Sequence, residues 1–342
     1  MQLPQDLQEA LAGVLSQGSV KALRAAAEDL SRRYRAPASG KGPLLRARED
    51  ILAYLAVRLP ATFAASHAAL AQVKAQLPHF TPRTLLDAGA GPGTALWAAA
   101  ALFPSLEAAT LLERDREMIA AGRRLAAGAS APVLRAAAWD EAHLDQAFSA
   151  PPHDLTVAAY VLGELGQGTQ DALADRLWRA TEGVMLLVEP GTPQGFARIR
   201  RQRDRVLAQG ARTIAPCPHD DACPIAGSDW CHFAERVSRS ALHRRVKGAD
   251  LGYEDEKFSF VALSRLAPLP LAGRVIRHPQ VRGGHVHVAL CTPRGLESTV
   301  ATRKDKDRYR LAKDLRWGDP TPWDAAEGAP VRPRDGGGKE QP

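Results

Sequence analysis

The sequence predicts an α/β fold in which short apolar strands of one sheet alternate with helices. From residue 84 onward, strand-like apolar runs recur at 85–89, 109–112, 133–137, 155–160 and 184–188, separated by helical stretches. This alternation indicates βαβ units around a parallel sheet. The chain has 342 residues, of which 45% are apolar, so it can bury a substantial core.

The first 80 residues are predicted to form a helical region that precedes the sheet. Leu3, Leu7, Leu11 and Val14 recur at helical spacing. Further helices are predicted at 22–34, 44–59 and 62–77, with a loop at 37–43 and a break at Pro60. This region shows no catalytic motif and is predicted to be a cap.

A glycine-rich loop follows the first predicted strand and precedes a helix. It reads Asp87-Ala-Gly89-Ala-Gly91-Pro-Gly93. Glycines there allow a sharp turn and close approach to a ligand, and the helix start offers free N–H groups. The G-x-G-x-G pattern differs from the dinucleotide-binding fingerprint. An acid two positions before the first glycine is typical of methyltransferases that bind S-adenosylmethionine (SAM). We therefore predict a class I SAM-binding domain, Rossmann-like with a seven-strand mixed sheet, over 81–296.

Two more acids are candidates for cofactor binding. Glu113 ends the second strand, where a carboxylate can accept hydrogen bonds from ribose hydroxyls, and Asp115 is the fallback candidate. Asp140 follows the third strand beside Trp139, where an adenine contact is expected. The alternative for Asp140 is an ordinary helix cap.

Catalytic residues are less well defined by the sequence. Tyr160, Glu164 and Glu189 lie near the predicted pocket beyond the fourth and fifth strands. The sequence contains no Asn/Asp-Pro-Pro-Tyr-type signature of amino-group methylation and no cysteine placed as in cytosine C5 enzymes. Tyr160 and Glu164 are weak candidates, and the catalytic residue is left unknown.

All four cysteines of the chain are predicted to bind a metal. Cys217, Cys223 and Cys231 lie close together within an insertion at about 212–235, and Cys291 follows later. Thiolates bind soft metals, and four complete a tetrahedral zinc site or an iron–sulfur cluster. The gaps differ from the paired C-x2-C knuckles of zinc ribbons. The chemistry of the four thiolates does not distinguish zinc from an iron–sulfur cluster.

The C-terminal part is predicted to close the sheet. KFSFVALSR and GHVHVALCT alternate with period two and are predicted to form the antiparallel pair that ends a methyltransferase sheet. A charged helix is predicted within 297–325 and a disordered tail over 326–342.

Net charge and the character of the N-terminus predict the class of partner and the compartment. The formal net charge of +7 favours polyanionic partners, and the basic segments 198–205 and 303–316 are candidates for phosphate contact, the alternative being solvated helix faces. No apolar run approaches the roughly 20 residues of a membrane span. The N-terminus has neither secretory nor transit-peptide character. A bacterial cytoplasmic location is therefore predicted, in which the cysteines are metal ligands rather than disulfides.

The chain resembles the methyltransferase-like protein 17 family, the mitochondrial small-ribosomal-subunit assembly factors and their bacterial relatives. The matching stretches are AYLAVRLPATFAA, DAGAGPGTALWAA, DLTVAAYVLGELG, LLVEPGTPQGF, APCPHDDACPIAGSDWCHF, KFSFVAL and WGD. The cysteine block is the most specific of them.

This resemblance implies SAM binding, a [4Fe–4S] cluster on the four cysteines, and association with the small ribosomal subunit or its rRNA during assembly or translation. An active SAM-dependent rRNA methyltransferase is one alternative. A zinc-stabilised methyltransferase with a non-ribosomal substrate is another, and a redox sensor with an exposed cluster is a third.

Overall fold

The computed structural model describes residues 1–16, 18–35, 47–146 and 148–321. The predicted loop at 37–43 and the predicted tail at 326–342 lie outside these residues. The helices are α1 Gln5–Leu15, α2 Val20–Arg35, α3 Arg48–Val57, α4 Leu59–Gln76, α5 Thr94–Leu102, α6 Arg116–Ala126, α7 Pro132–Arg135, α8 Gln167–Arg179, α9 Pro193–Leu207, α10 Ala241–Lys247 and α11 Lys306–Asp314. The strands are β1 Thr84–Ala88, β2 Ala108–Glu113, β3 Ala138–Glu141, β4 His153–Ala159, β5 Thr181–Pro190, β6 Arg212–Ala215, β7 Phe233–Ser238, β8 Tyr253–Ser264, β9 Arg274–Val275, β10 Gln280–Arg282, β11 His285–Thr292 and β12 Gly295–Thr302.

Four helices, α1 to α4, form the region before the sheet. The chain bends at Arg58, and Pro60 lies inside the first turn of α4 rather than at the break. Proline is tolerated there because the first-turn N–H groups have no helical acceptor. Among the described residues, no single helix is long and apolar enough to span a membrane, whereas α3 and α4, bent by 47°, meet that criterion as a pair by length and composition.

The main sheet has the order β3-β2-β1-β4-β5-β8-β6, with β7 paired to β8. Its first five strands are parallel, and β8 runs antiparallel to β5 and β6. This order, with one reversed strand near the edge, is that of class I methyltransferases, and the predicted α/β mixed sheet is confirmed. The chain order reverses between β1 and β4, so the crevice for a ligand is expected at the carboxyl ends of these strands.

One predicted strand is helical in the structure. The sequence predicts a strand over 133–137, but Pro132–Arg135 forms the short helix α7, and the third strand begins only at Ala138. An apolar run of five residues fits both a strand and a buried helical turn, and Pro132 favours a helix start.

The C-terminal strands form a second sheet instead of completing the first. Its order is β10-β11-β12, with β9 paired to β11, and a small apolar core lies beneath it. The predicted pairing of GHVHVALCT with KFSFVALSR is therefore wrong, because the former is β11 and the latter is β8. The predicted helix within 297–325 shrinks to Lys306–Asp314, since residues up to Thr302 pair with β11.

Candidate functional site

The glycine loop lies at the carboxyl edge of the main sheet, between β1 and α5. Gly89, Gly91 and Gly93 have φ values of +73°, +54° and +80°, a region that L side chains rarely adopt. The amides of Gly89 and Ala90 both donate to the Leu112 carbonyl at 2.8 and 3.0 Å, which ties the loop to β2. The Gly91 and Gly93 amides are hydrogen-bonded as well, to Glu113 and to the Ala90 carbonyl, so the loop offers close approach of its backbone to a ligand rather than free N–H groups.

Asp87 lies in β1, directly before this loop. It is 1% exposed, and its Oδ2 atom has no hydrogen-bond partner among the described residues. Burial, assisted by the charge of Glu113, raises the pKa of the Asp87 carboxyl to about 7. An unpaired, buried carboxylate oxygen beside a glycine cradle is well suited to accept hydrogen bonds from an ammonium group.

Glu113 lies beside the loop, as predicted. Its Oε2 accepts a hydrogen bond from the Gly91 amide at 2.8 Å, and its Oε1 accepts from the Asp115 amide at 2.9 Å. Asp115 itself caps α6 by accepting from the amides of Glu117 and Met118. The carboxylate of the fallback candidate caps a helix, whereas that of Glu113 contacts the glycine loop itself.

Asp140 lies on β3, one strand beyond Glu113. Its register partner on β2 is Leu112, and its side chain is exposed. The neighbouring Trp139 packs against the loop: a methyl group added at Gly93 would lie 3.3 Å from its ring. The structure thus places Asp140 beside the same crevice as Asp87 and Glu113, and Trp139 supports the loop from the side of β3.

Tyr54 is a site residue that the sequence patterns did not reveal. It lies on α3, in the helical region that was predicted to lack catalytic motifs, and a methyl group added at Gly91 would lie 3.8 Å from its hydroxyl. Burial raises the pKa of Tyr54 to about 12. The signal available in the sequence was the family-matching stretch AYLAVRLPATFAA, which contains this tyrosine. Helix α3 therefore brings the half-buried Tyr54 next to the glycine loop.

The geometry of the glycine loop predicts different losses of stability for two alanine substitutions. A Cβ at Gly89 would come within 2.5 Å of the Val161 side chain, whereas the nearest neighbour of a Cβ at Gly91 is the Tyr54 hydroxyl at 3.8 Å. We expect Gly89→Ala to lower the free energy of unfolding by about 3 kcal/mol, since a clash adds to the backbone strain. Gly91→Ala should cost only the strain, about 1–2 kcal/mol. Urea denaturation of both variants measures the difference, and equal losses would contradict the observed loop geometry.

Tyr160, Glu164 and Glu189 surround the ends of β4 and β5. Among the described residues, Tyr160 is the only non-glycine with positive φ, at 60°, and its hydroxyl donates to Glu256 at 3.0 Å. Glu164 pairs with Arg114 at 2.9 Å, and fully buried Glu189 pairs with Arg198 at 3.1 Å. Burial raises the pKa of both glutamates to about 7. The structure brings these groups to the same edge as the glycine loop.

The four cysteines line one cavity of about 40 Å³ between the two sheets. Cys217, Cys223 and Cys231 come from the loop at 216–232 between β6 and β7, and Cys291 comes from β11. The His219 Nε2 atom lies 3.6 Å from the Cys291 sulfur. Residues about 60 positions apart in the chain thus meet at one cavity.

Burial disfavours the thiolate form of three of the cysteines. Burial raises the pKa of the Cys217 thiol, raises that of Cys231 well above its ordinary value, and raises that of Cys291 to about 12, with the other cysteines adding to each shift. Among the described residues, no three His, Cys, Asp or Glu side chains are placed to hold a single metal ion. The structure therefore shows a cysteine-lined cavity, and metal binding by the insertion stays a prediction.

Arginines of the basic segment 198–205 make intramolecular ion pairs, although Arg201 and Arg205 are exposed. Arg201 and Arg205 on α9 form ion pairs with Asp171 and Asp175 on α8. Arg203 is 3% exposed and lines the cysteine cavity. Because acids one helix away neutralise these arginines, α9 is a poor candidate for phosphate contact.

Comparison with known proteins gives clear relatives. The model of the family "Mitochondrial small ribosomal subunit Rsm22" matches residues 48–322. The human ribosome assembly protein METTL17, a mitochondrial protein, is 31% identical over 79% of this chain and 62% of its own length. The mitochondrial Rsm22-cox11 tandem protein 2 of Schizosaccharomyces pombe is 23% identical over 79% of this chain and 43% of its own length. The chain thus spans less than two thirds of these relatives.

Solved structures similar to the chain are methyltransferases. Magnesium protoporphyrin IX methyltransferase from Synechocystis, with bound SAM, is 13% identical with a TM-score of 0.40, over 69% of this chain and 91% of that one. The plantazolicin methyltransferase BpumL is 10% identical with a TM-score of 0.41, over 72% and 98%. At these scores the fold assignment depends on the strand order described above.

The relatives correct the predicted compartment. Both the human and the yeast proteins are described as mitochondrial. The prediction of a bacterial cytoplasmic location is contradicted by these relatives.

Proposed function

Because the chain belongs to the Rsm22 family of mitochondrial small ribosomal subunit proteins, we propose that it is a SAM-binding, methyltransferase-like factor that acts on the small ribosomal subunit or its rRNA during assembly. The predicted family is confirmed by the match over residues 48–322 and by the human relative. That match is the observation that carries the ribosomal part of the proposal, since the human relative is described as a ribosome assembly protein.

SAM is the cofactor that fits the glycine loop. Its ammonium group would pair with the free Oδ2 of Asp87, and its ribose hydroxyls would donate to Glu113, which now accepts from the Gly91 amide. The cofactor would supply an activated methyl group. Asp87 and Glu113, which lack a cationic partner among the described residues, make this edge acidic, which favours a cationic ligand.

A metal centre on Cys217, Cys223, Cys231 and Cys291 is the second part of the proposal. The donor set of four thiols fits both zinc and a [4Fe–4S] cluster. The four thiols line one cavity, which would hold either centre. The centre would cross-link the 216–232 loop to the second sheet. Protein purified without oxygen that absorbs broadly near ~400 nm and contains about four irons supports the cluster, whereas colourless protein with about one zinc supports the alternative.

RNA contact is proposed at the basic end of the second sheet, defined as Arg282, His285, His287, Arg303 and Lys304. Arg282 pairs in register with His285, the rings of His285 and His287 lie 4.9 Å apart, and the Arg303 amide donates to the Gly284 carbonyl. Arg282, Arg303 and Lys304 are exposed. Arg282 and Lys304 have no carboxylate partner among the described residues, in contrast to the paired arginines of α9. Concentrated, uncompensated positive charge is what phosphate contact requires.

The double variant Arg282→Gln/Lys304→Gln tests this surface. We expect weaker binding to in vitro transcribed small-subunit rRNA. The slope of log K against log salt should also become shallower by about 1–2 units, since roughly one counterion is released per phosphate contact. Arg201→Gln is the matched control, because Arg201 is already neutralised by Asp171. A loss of binding in the control but not in the double variant would move the interface to α9.

Active methyl transfer to rRNA is the alternative that one observation favours. Tyr160 holds a strained backbone conformation at the end of β4, with its hydroxyl on Glu256, and strained residues are concentrated at functional sites. Tyr160→Phe keeps the ring and removes the hydroxyl. If the chain is an enzyme that uses this hydroxyl, methyl transfer from labelled SAM to small-subunit rRNA falls while SAM affinity is retained. Assembly without turnover predicts no transfer by the wild type under conditions in which it binds SAM.

A further inference from the structure

Two buried arginines face the cysteine cavity from different parts of the molecule. Arg203 comes from α9 beside the main sheet and is 3% exposed, and Arg274 comes from β9 of the second sheet and is 2% exposed. Both line the cavity with the four cysteines. Buried guanidinium groups are rare because removing a cation from water is costly unless an anion compensates it.

The partners of Arg274 leave its charge largely uncompensated. Its Nε donates to the Pro216 carbonyl at 3.0 Å and one terminal nitrogen donates to the Gly318 carbonyl at 2.9 Å, while the other terminal nitrogen has no partner among the described residues. Carbonyls satisfy hydrogen bonds but carry no net charge. The carboxylate nearby is that of Asp319, which also accepts from the Arg316 amide at 2.7 Å.

Arg203 has a similar environment. One terminal nitrogen donates to the carbonyls of His219 and Asp221, and the other pairs with Asp204, whose side chain is 53% exposed. Its Nε has no partner among the described residues. Both carbonyl acceptors belong to the loop that carries Cys217 and Cys223, so Arg203 holds that loop and places its charge beside their sulfurs.

The cysteine sulfurs face both guanidiniums and would be their counter-anions once a metal ionises them. Cys217 interacts electrostatically with Arg203 and with Arg274, Cys223 does so with Arg203, and Cys231 and Cys291 do so with Arg274. Four thiolates around zinc, or around a cluster core of the same charge, leave a net charge of about −2. Two guanidiniums would neutralise it.

We infer that Arg203 and Arg274 are positioning residues that act as counter-charges of the metal centre from opposite walls of the cysteine cavity. The inference depends on the metal centre proposed above, but it holds for zinc and for an iron–sulfur cluster alike. It also gives the second sheet a role in metal retention, because Arg274 and Cys291 both come from it.

Metal release from Arg274 variants tests the inference. Wild type, Arg274→Gln, Arg274→Lys, Arg203→Gln and the control Arg201→Gln are purified without oxygen, and their iron, sulfide and zinc contents are measured before and after addition of a chelator. We expect release from Arg274→Gln and Arg203→Gln to be about tenfold faster or more, typical of losing an outer group around a metal site. Arg274→Lys should recover part of the difference because it keeps the charge, and Arg201→Gln should match wild type.

A second measurement separates charge compensation from a merely structural role. In a background in which all four cysteines are replaced by serine, Arg274 loses its anionic partners. Arg274→Met should then be neutral or raise the Tm, whereas in the wild-type background it should lower the Tm. If the centre is an iron–sulfur cluster, Arg274→Gln should also make its midpoint potential more negative, because the reduced form carries more negative charge.

The outcomes distinguish this inference from the proposal beneath it. Wild-type protein without metal overturns both. If the wild type contains metal and the Arg274→Gln and Arg203→Gln variants retain it equally well, only the assignment of counter-charges is overturned. Equal destabilisation by Arg274→Met in both backgrounds overturns it as well, since the arginine would then act through its hydrogen bonds alone.

Discussion

Replacing Asp87 by asparagine is expected to abolish SAM binding and, at the same time, to stabilise the ligand-free protein above pH 7. Asparagine keeps the shape of the side chain but loses the charge that would pair with the ammonium group of SAM. We expect the Kd to rise at least about 100-fold, corresponding to the loss of a buried charge-assisted hydrogen bond worth about 3 kcal/mol.

The stabilisation follows from the raised pKa of Asp87. The carboxyl has an ordinary pKa of 3.8 and a folded-state pKa of about 7, so the folded state binds the proton more tightly. The wild type therefore loses stability as the pH rises from about 4 to about 7, and this loss is complete above pH 7. Removing the charge should recover about 2–4 kcal/mol of unfolding free energy at pH 8 and little at pH 4.

Isothermal titration with SAM and urea denaturation at pH 4 and pH 8 measure the two effects. Asp171→Asn is the matched control, because the Arg201 guanidinium lowers the pKa of Asp171 to about 2 and its substitution should destabilise the protein at pH 8. Undiminished SAM affinity in Asp87→Asn would remove Asp87 from the proposed cofactor site. Lower stability of this variant at pH 8 would contradict the buried, unpaired carboxylate.

Replacing Cys223 by serine is expected to release the metal and to destabilise the second sheet. The small core beneath that sheet, Val275, Val286, Val288, Leu290, Ala301 and Ala312, is separate from the two larger cores. A centre held by Cys291 and the 216–232 loop would join it to the main sheet. Because metal binding contributes directly to folding free energy, we expect a loss of at least about 3 kcal/mol and a Tm lower by roughly 5–10 °C.

Thermal unfolding and metal analysis of Cys223→Ser, with hydrogen exchange to locate the change, measure this effect. Amide protection should fall most in β11 and β12. After removal of the metal by a chelator, wild type and Cys223→Ser should have nearly equal Tm values, which is the control for the serine itself. Full metal occupancy and an unchanged Tm in the variant would exclude Cys223 as a ligand.

The parts of the site that local sequence predicts are those made by one loop. The turn that needs positive φ at Gly89, Gly91 and Gly93 requires glycine, so the loop and its place after β1 were predictable from the sequence. Glu113 was predictable for a related reason, since the end of β2 lies directly beside the end of β1 in a parallel sheet.

The parts that the sequence patterns missed depend on contacts between distant segments. Tyr54 reaches the glycine loop from α3, and Arg274 reaches the cysteines from β9. Arg203 was expected to contact phosphate with the rest of its basic segment, but it is buried beside Cys217. A row of arginines has the same composition whether it faces solvent, acids on a neighbouring helix or a metal site.

The sequence by itself therefore determined the α/β class, the glycine loop with its two acids, the family, and the four cysteines as one set of ligand candidates. These depend on periodicity, on turn stereochemistry and on residue chemistry, all of which are local. The tertiary structure alone decided that β11 and β12 form a second sheet, that the α9 arginines are neutralised by Asp171 and Asp175, and that Arg203 and Arg274 face the cysteines. The reason is physical: an alternating strand or a charged helix specifies which of its faces is polar, but packing against distant segments decides what that face meets.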